Sequence, residues 1–171
     1  MFATPTSIVS GRSYRVLEVS GHSPGGADDF VGSAAFTLDM DGTAYQVSLS
    51  VNAAQTISAI LTSISTDGGQ TWSEPATIQR DVSPTGFVFN DKESVTADPY
   101  RAGTAYVVWD RSRFPSDNAN VNAGHSAAFR GDPYISITND GGKTWSTPRR
   151  ITPQNQNLFT IGNQIAVLPD G

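Results

Sequence analysis

Ser65-Thr66-Asp67-Gly68-Gly69-Gln70-Thr71-Trp72 recurs as Thr138-Asn139-Asp140-Gly141-Gly142-Lys143-Thr144-Trp145, so the pattern S/T-x-D-G-G-x-T-W stands twice in one chain. A turn that repeats implies a supersecondary unit that repeats. The residues entering the two turns, Ser65-Thr66 and Ile135-Ser136-Ile137-Thr138, are β-branched or small and alternate in polarity, which is strand chemistry. Asp-Gly-Gly then reverses the chain, because glycine reaches positive φ without steric cost. The Asp carboxylate can accept N–H groups of its own turn and lock it. Thr and Trp open the return strand, and the indole is large enough to cover the apolar side of the hairpin. Asp67, Gly69, Thr71 and Trp72, with Asp140, Gly142, Thr144 and Trp145, therefore read as structural residues.

A second repeat lies outside the first. Phe36-Thr37-Leu38-Asp39-Met40-Asp41-Gly42-Thr43-Ala44-Tyr45 matches Val95-Thr96-Ala97-Asp98-Pro99-Tyr100 followed by Gly103-Thr104-Ala105-Tyr106. Ile165-Ala166-Val167-Leu168-Pro169-Asp170-Gly171 looks like the opening of a third copy. The first two are each a strand, a polar turn with glycine, and a returning strand that begins Thr-Ala-Tyr. Two four-stranded units follow. The first has strands near Gly32–Leu38, Ala44–Val51, Thr56–Ser65 and Trp72–Gln79. The second has them near Lys92–Ala97, Ala105–Trp109, Pro133–Thr138 and Trp145–Ile151, and a third unit starts near Gly162. Tyr14–Val19 also alternates and is expected as an outer strand of a preceding or closing unit. Helix signals are nearly absent, since no apolar stripe of period 3.6 runs beyond one turn. Gly103 to Asp140 is twelve residues longer than Gly42 to Asp67. The excess falls in the Ser/Asn/Ala/Gly-rich stretch Arg111–Asp132, either a tolerated surface insertion or a functional loop.

The repeated turn resembles the Asp-box, or BNR repeat, of sialidases and their relatives. That resemblance implies an all-β fold: a partial β-propeller of about two four-stranded antiparallel blades plus the first strand of a third, from a ring of six. Residues 1–171 are then one incomplete propeller domain, with 1–26 an outer strand and linker, 27–80 blade one, 88–152 blade two and 160–171 the start of blade three. The box lies on the face away from the active site. Sialidases hold the sugar carboxylate with three arginines, use an Asp as acid/base and a Glu-activated Tyr as nucleophile, all drawn from blades around the ring. Two blades do not carry that set, and a fragment alone is expected to be inactive. The family's F/Y-R-I-P motif is echoed by Tyr14-Arg15-Val16-Leu17 without its proline, so no role passes to Arg15. Tyr45 and Tyr106 read as repeated core residues and not as the nucleophile.

Composition narrows the partners. Charged residues make up only 16% of the chain, below the roughly 25% of ordinary soluble domains, so wherever charges gather they are informative. The net charge is −5, which disfavours nucleic acid. No stretch approaches the roughly 18 apolar residues of a membrane span, and no signal peptide opens the chain. An extracellular or cell-surface location is expected from the resemblance alone. There are no cysteines. His22 and His125 lack ligand spacing, and Asp39-x-Asp41-Gly42 lacks the rest of a calcium loop, so no metal is expected. No P-loop or dinucleotide fingerprint is present, and no cofactor is expected.

If the box turns lie at one end of the strands, the scarce charges gather at the other. Asn90-Asp91-Lys92-Glu93 enters an innermost strand near the central axis, and Trp109-Asp110-Arg111 leaves its neighbour at the same end. Asp91, Glu93 and Asp110 are candidate acids or bases, their pKa values set by burial and neighbours. Lys92, Arg111 and Arg130 are candidate substrate contacts, since Arg binds carboxylate bidentately. The alternative is an ion-pair network, Lys92 or Arg111 with Asp110 or Asp91, that orders the inner strands. The expected function is that of a sialidase-like glycoside hydrolase acting on sialic-acid-type or related glycans. The competing expectation is a non-catalytic propeller that binds glycans or proteins, because the boxes specify fold and not chemistry. The expected partners are a carbohydrate and the remaining blades.

Overall fold

A computed structural model describes residues 13–22, 29–52, 56–83, 88–114, 130–153 and 159–170. Among these residues nine strands follow the chain in order. β1 (Ser13–His22), β2 (Asp29–Leu38), β3 (Ala44–Val51), β4 (Ile57–Ser65) and β5 (Ala76–Val82) form a five-stranded sheet. β6 (Val88–Ala97), β7 (Ala105–Arg113), β8 (Arg130–Thr138) and β9 (Arg149–Arg150) form a four-stranded one. Every neighbour is antiparallel and adjacent in sequence, so both sheets are meanders. Among the described residues there is no helix. The all-β expectation is met, and β3 starts and ends where the sequence puts it.

The two sheets repeat each other in register. Leu38 faces Ala44 as Ala97 faces Ala105, and Tyr45 faces Ile64 as Tyr106 faces Ile137. They also share one core. Tyr45, Val47, Leu49 and Val51, at every second position of β3, and Ile60 of β4 meet Val95, Ala97, Ala105, Val107 and Trp109 of β6 and β7. Period-two alternation puts these residues on the facing sides. Hydrogen bonds stitch the interface: Ala97 N–H donates to Thr37 Oγ1 at 3.2 Å, and Asn90 N–H to Ser58 Oγ at 2.9 Å.

The structure corrects several expectations. The first sheet has five strands, because β1 covers the otherwise unpaired edge of β2. The segment expected as an outer strand of a preceding or closing unit is thus an edge strand of the first sheet, beside β2. The last strand of the first sheet begins at Ala76 and not at Trp72, since Trp72 to Pro75 still belong to the turn. The last strand of the second sheet is only Arg149–Arg150 for the same reason. The expected third inner strand is not a strand: 163–168 has no ladder partner and lies along β6, where Thr96 Oγ1 donates to Ile165 O at 3.3 Å. β6 starts at Val88 and β7 runs on to Arg113, both longer than expected, because their polar ends still pair. The stretch 115–129, with Pro115 and His125, and the residues before Ser13 lie outside the described residues.

Candidate functional site

The meander sends alternate turns to opposite ends. At one end lie the β2–β3, β4–β5, β6–β7 and β8–β9 turns. In the first Asp-Gly-Gly turn, Asp67 Oδ1 accepts from Ser65 Oγ, Gln70 N–H and Thr71 N–H at 2.7, 2.9 and 2.9 Å. Its Oδ2 accepts from Thr71 Oγ1 at 2.6 Å. In the second, Asp140 accepts from Thr138 Oγ1, Thr144 N–H and Thr144 Oγ1 at 2.8, 2.9 and 2.6 Å. Hydrogen bonds from Thr144 and Thr138 hold Asp140 down at about 2, and those from Thr71 and Ser65 depress Asp67 further. Carboxylates so stabilised as anions are poor proton donors at neutral pH. They are turn locks, as the sequence implies.

The turn motif extends one residue beyond the expected pattern. Ser73 N–H donates to Ile64 O while Ile64 N–H donates to Ser73 Oγ, and Ser146 and Ile137 repeat both bonds. The recurrence of Trp-Ser-x-Pro at 72–75 and 145–148 was the signal for it. The two boxes differ in surroundings. The second packs on the first sheet: a Cβ added at Gly142 would lie 2.5 Å from Ile64 Cγ2 and 3.3 Å from Tyr45 Cε1. Trp145 packs against the shared core, whereas Trp72 is 38% exposed.

A third repeated device sits at the same end. Asp39 accepts from the N–H groups of Asp41 and Thr43 and, at 2.9 Å, from the Tyr45 hydroxyl. Asp98 accepts from Tyr100 N–H and, at 2.9 Å, from the Tyr106 hydroxyl. Burial and then the Asp39 hydrogen bond push the Tyr45 phenol far up, so it stays neutral. Both tyrosines are hydrogen-bond struts for a turn.

The candidate chemistry lies at the opposite end. β6 carries a bulge there: Asp91 faces Asp110 and Ser94 faces Val108, so Lys92 and Glu93 stand against Trp109 alone, two residues against one. Lys92 sits in it at φ 52°, a left-handed conformation costing about 1–2 kcal/mol for a residue with a Cβ. The extra residue resets the alternation, so that Asn90 and Val95 both face the first sheet although they are five apart. Asp91 is half-buried; its Oδ1 accepts from Lys92 N–H at 2.8 Å and lies 3.5 Å from Lys92 Nζ. Glu93 is fully buried. With Lys92, Ser94, Asn163 and Gln164 it lines a cavity of about 50 Å³. That is room for water, far below the ~300–1,000 Å³ of small-molecule pockets.

Asp110 and Arg111 are neighbours in sequence and strangers in space. Successive strand residues point to opposite faces. Asp110 turns toward the segment after β9 and accepts from Thr160 Oγ1, Gly162 N–H and Asn163 Nδ2 at 2.5, 2.8 and 2.5 Å. Burial pushes its carboxyl up, and the nearby Asp91 charge adds to this, against the pull of those donors. Arg111 turns toward the first sheet and grips Asp81 of β5 with Nε, at 3.0 Å, and with Nη2. Its guanidinium also lies 5.6 Å over the Tyr134 ring, which stacks on Trp109. Asn90 completes this network, donating to Asp81 at 3.0 Å and accepting from Trp109 Nε1 at 3.0 Å. Burial raises Asp81, but Arg111 and Asn90 outweigh it and hold the carboxyl below its usual range. The ion pair that orders the strands is therefore Arg111 with Asp81, an acid the sequence reading did not link to it.

Arg130 lies at the start of β8, exposed, directly across from exposed Arg113 of β7. Like charges facing each other across a ladder repel. Next to them Arg150 Nη2 meets Asp132 Oδ1 at 2.7 Å. Asp132 and Arg130 face Arg111 and Arg113 in turn, so these four side chains share one side of the sheet. Arg113 belongs to the charges gathered at this end in the sequence but not to the candidate contacts, since only the register puts it opposite Arg130. Among the described residues no three His, Cys, Asp or Glu side chains converge as a metal site, and no helix is long and apolar enough to cross a membrane. No protein-family model and no curated protein matches the chain.

Proposed function

We propose that the chain supplies two successive blades of a sialidase-like, Asp-box β-propeller whose completed ring is a glycoside hydrolase of sialic-acid-type or related acidic glycans. The recurrence of one aspartate-locked turn, with the second seated on the sheet that carries the first, is the observation that carries this reading. The segment 163–168 supports it, because Thr96, the repeat partner of Thr37, reaches that segment just as Thr37 reaches β6. The bulge end of β6 then lies nearest the ring axis, with Asp91 and Glu93 as candidate acid and base beside Lys92. Arg113 and Arg130 supply two guanidinium groups for a sugar carboxylate. A secreted or cell-surface setting accompanies this reading. A second reading, a non-catalytic glycan-binding propeller, is favoured by one observation: Asp110 and Arg111 are both engaged in holding the structure.

The test pairs a fluorogenic sialoside assay with a glycan array, on the chain and on any longer product that contains it. Turnover that Asp91→Asn removes, with melting unchanged, supports hydrolysis at this end. Array binding that Arg113→Ala and Arg130→Ala weaken, without turnover, supports the second reading. Neither turnover nor binding would sink both.

A further inference from the structure

The segment 159–163 is tied to the second sheet by little backbone and one carboxyl. Phe159 forms a single bridge with Gly131, and Thr160 N–H donates to Gly131 O at 2.9 Å. The rest of the hold is Asp110, 1% exposed, which meets Thr160 Oγ1, Gly162 N–H and Asn163 Nδ2. The segment so held closes the small cavity at the bulge: Gly162, Asn163 and Gln164 form one wall, and Lys92, Glu93 and Ser94 another. The charges about Asp110 are unbalanced. β6 sets Asp91 directly opposite it on the ladder, where two like charges repel. The cation of β6, Lys92, has its Nζ 3.5 Å from Asp91 and so serves the other carboxylate, while Glu93 adds a third acid in the cavity wall. β8 brings uncharged Pro133 opposite Asp110, the segment itself brings only uncharged groups, and Arg111 is turned away to Asp81. A proton on Asp110 has an acceptor ready. Thr160 Oγ1 has one hydrogen and two oxygens in reach, Asp110 Oδ1 at 2.5 Å and Gly131 O at 2.9 Å. With Asp110 ionised, that hydrogen turns to the carboxylate. With Asp110 neutral, its O–H donates to Thr160 Oγ1, Thr160 donates to Gly131 O, and Gly162 N–H keeps the second carboxyl oxygen. The neutral form thus links β7, the segment and β8 in one chain of bonds and removes the repulsion with Asp91.

We propose that 159–163 is a proton-linked strap: neutral Asp110 holds it shut over the cavity beside Glu93, and loss of that proton loosens it. Burial pushes the Asp110 carboxyl up, and the Asp91 charge adds to this, against the pull of the strap's donors. A group that holds its proton more tightly when covered favours, by linkage, the covered state when protonated. Access to Lys92 and Glu93 therefore opens as pH rises through the titration of Asp110. The proposal rests on the geometry of the strap and not on hydrolysis, so a chain without activity leaves it standing.

Hydrogen–deuterium exchange from about pH 4 to about pH 7, corrected for the intrinsic pH dependence of amide exchange, tests it. The amides of Thr160 and Gly162 report the strap, and those of β3 serve as the reference. Protection of the strap is expected to fall about fivefold or more as pH rises, the low end of ordinary coupling between two sites, while that of β3 holds. Asp110→Asn, whose amide donates to Thr160 and accepts from Gly162 as the neutral acid does, is expected to keep the acid-level protection at every pH. Asp91→Asn removes the facing charge, so the loosening should move to lower pH. A strap whose protection ignores pH or rises with it, a pH response that survives Asp110→Asn, or an unmoved midpoint in Asp91→Asn would each overturn the proposal. Where Asp110→Asn does not fold, the wild-type profile and the Asp91→Asn shift decide it.

Discussion

Gly69 and Gly142 hold the same place in the same motif, with φ of 86° and 81°, yet the structure assigns them different costs. At Gly69 an added methyl meets only the strain of the left-handed backbone, about 1–2 kcal/mol. At Gly142 it also collides with Ile64 and Tyr45, which adds about 1–3 kcal/mol of overpacking. Gly142→Ala is therefore expected to lower the urea midpoint clearly more than Gly69→Ala. Equal shifts would mean that the second turn does not dock on the first sheet in solution. The motif announces both glycines equally; the inequality comes from the partner surface, which lies some eighty residues upstream.

At the scale of elements, β6 and β7 carry the divided labour of this chain. Their box-end halves are mostly buried and uncharged, and their far halves hold the charges. The expectation that charges gather away from the boxes holds within these two strands, while Asp39, Asp98 and Arg101 sit in turns at the box end. What the sequence reading could not separate was Asp110 from Arg111, because adjacency in the chain becomes opposition across a strand. Arg111 and Asp81 bind sheet to sheet, both side chains mostly covered. Breaking one partner leaves the other charged and poorly solvated, a loss of about 3–5 kcal/mol. Asp81→Ala and Arg111→Ala should each destabilise by that order. The double variant should cost clearly less than their sum, as a thermodynamic cycle by denaturant unfolding would read. Additive losses would show that the two side chains act independently.

For the whole molecule, the scattered carboxylates predict the acid limb of stability. Asp67, Asp81 and Asp140 have folded pKa values below the unfolded value of about 3.9. Their contribution is complete above that pH and is lost as pH falls toward about 2, where Asp140 itself protonates. Asp110 has the opposite sign: its raised pKa favours the protonated carboxyl in the fold, so its ionisation opposes folding as pH rises through that value. Three groups against one give a net loss on acidification. Thermal midpoints should fall from pH 4 toward pH 2, and the fall should shrink in an Asp67→Asn, Asp140→Asn double variant measured against its own neutral midpoint. An unchanged pH slope in that variant would remove the turn carboxylates from the account.

The sequence by itself determined the strand order, the two equivalent turns and the all-β class, because each rests on local chemistry: alternation, glycine at positive φ, and an aspartate that bonds within eight residues of itself. It also placed Tyr45 and Tyr106 as matching positions. Tertiary structure decided what those matches were worth. The bulge at Lys92, the fifth strand beside β2, the Arg111–Asp81 grip and the facing of Arg113 with Arg130 all depend on which strand edge or sheet face arrives opposite. That is a long-range property of the folded chain, and no periodicity within a strand encodes it.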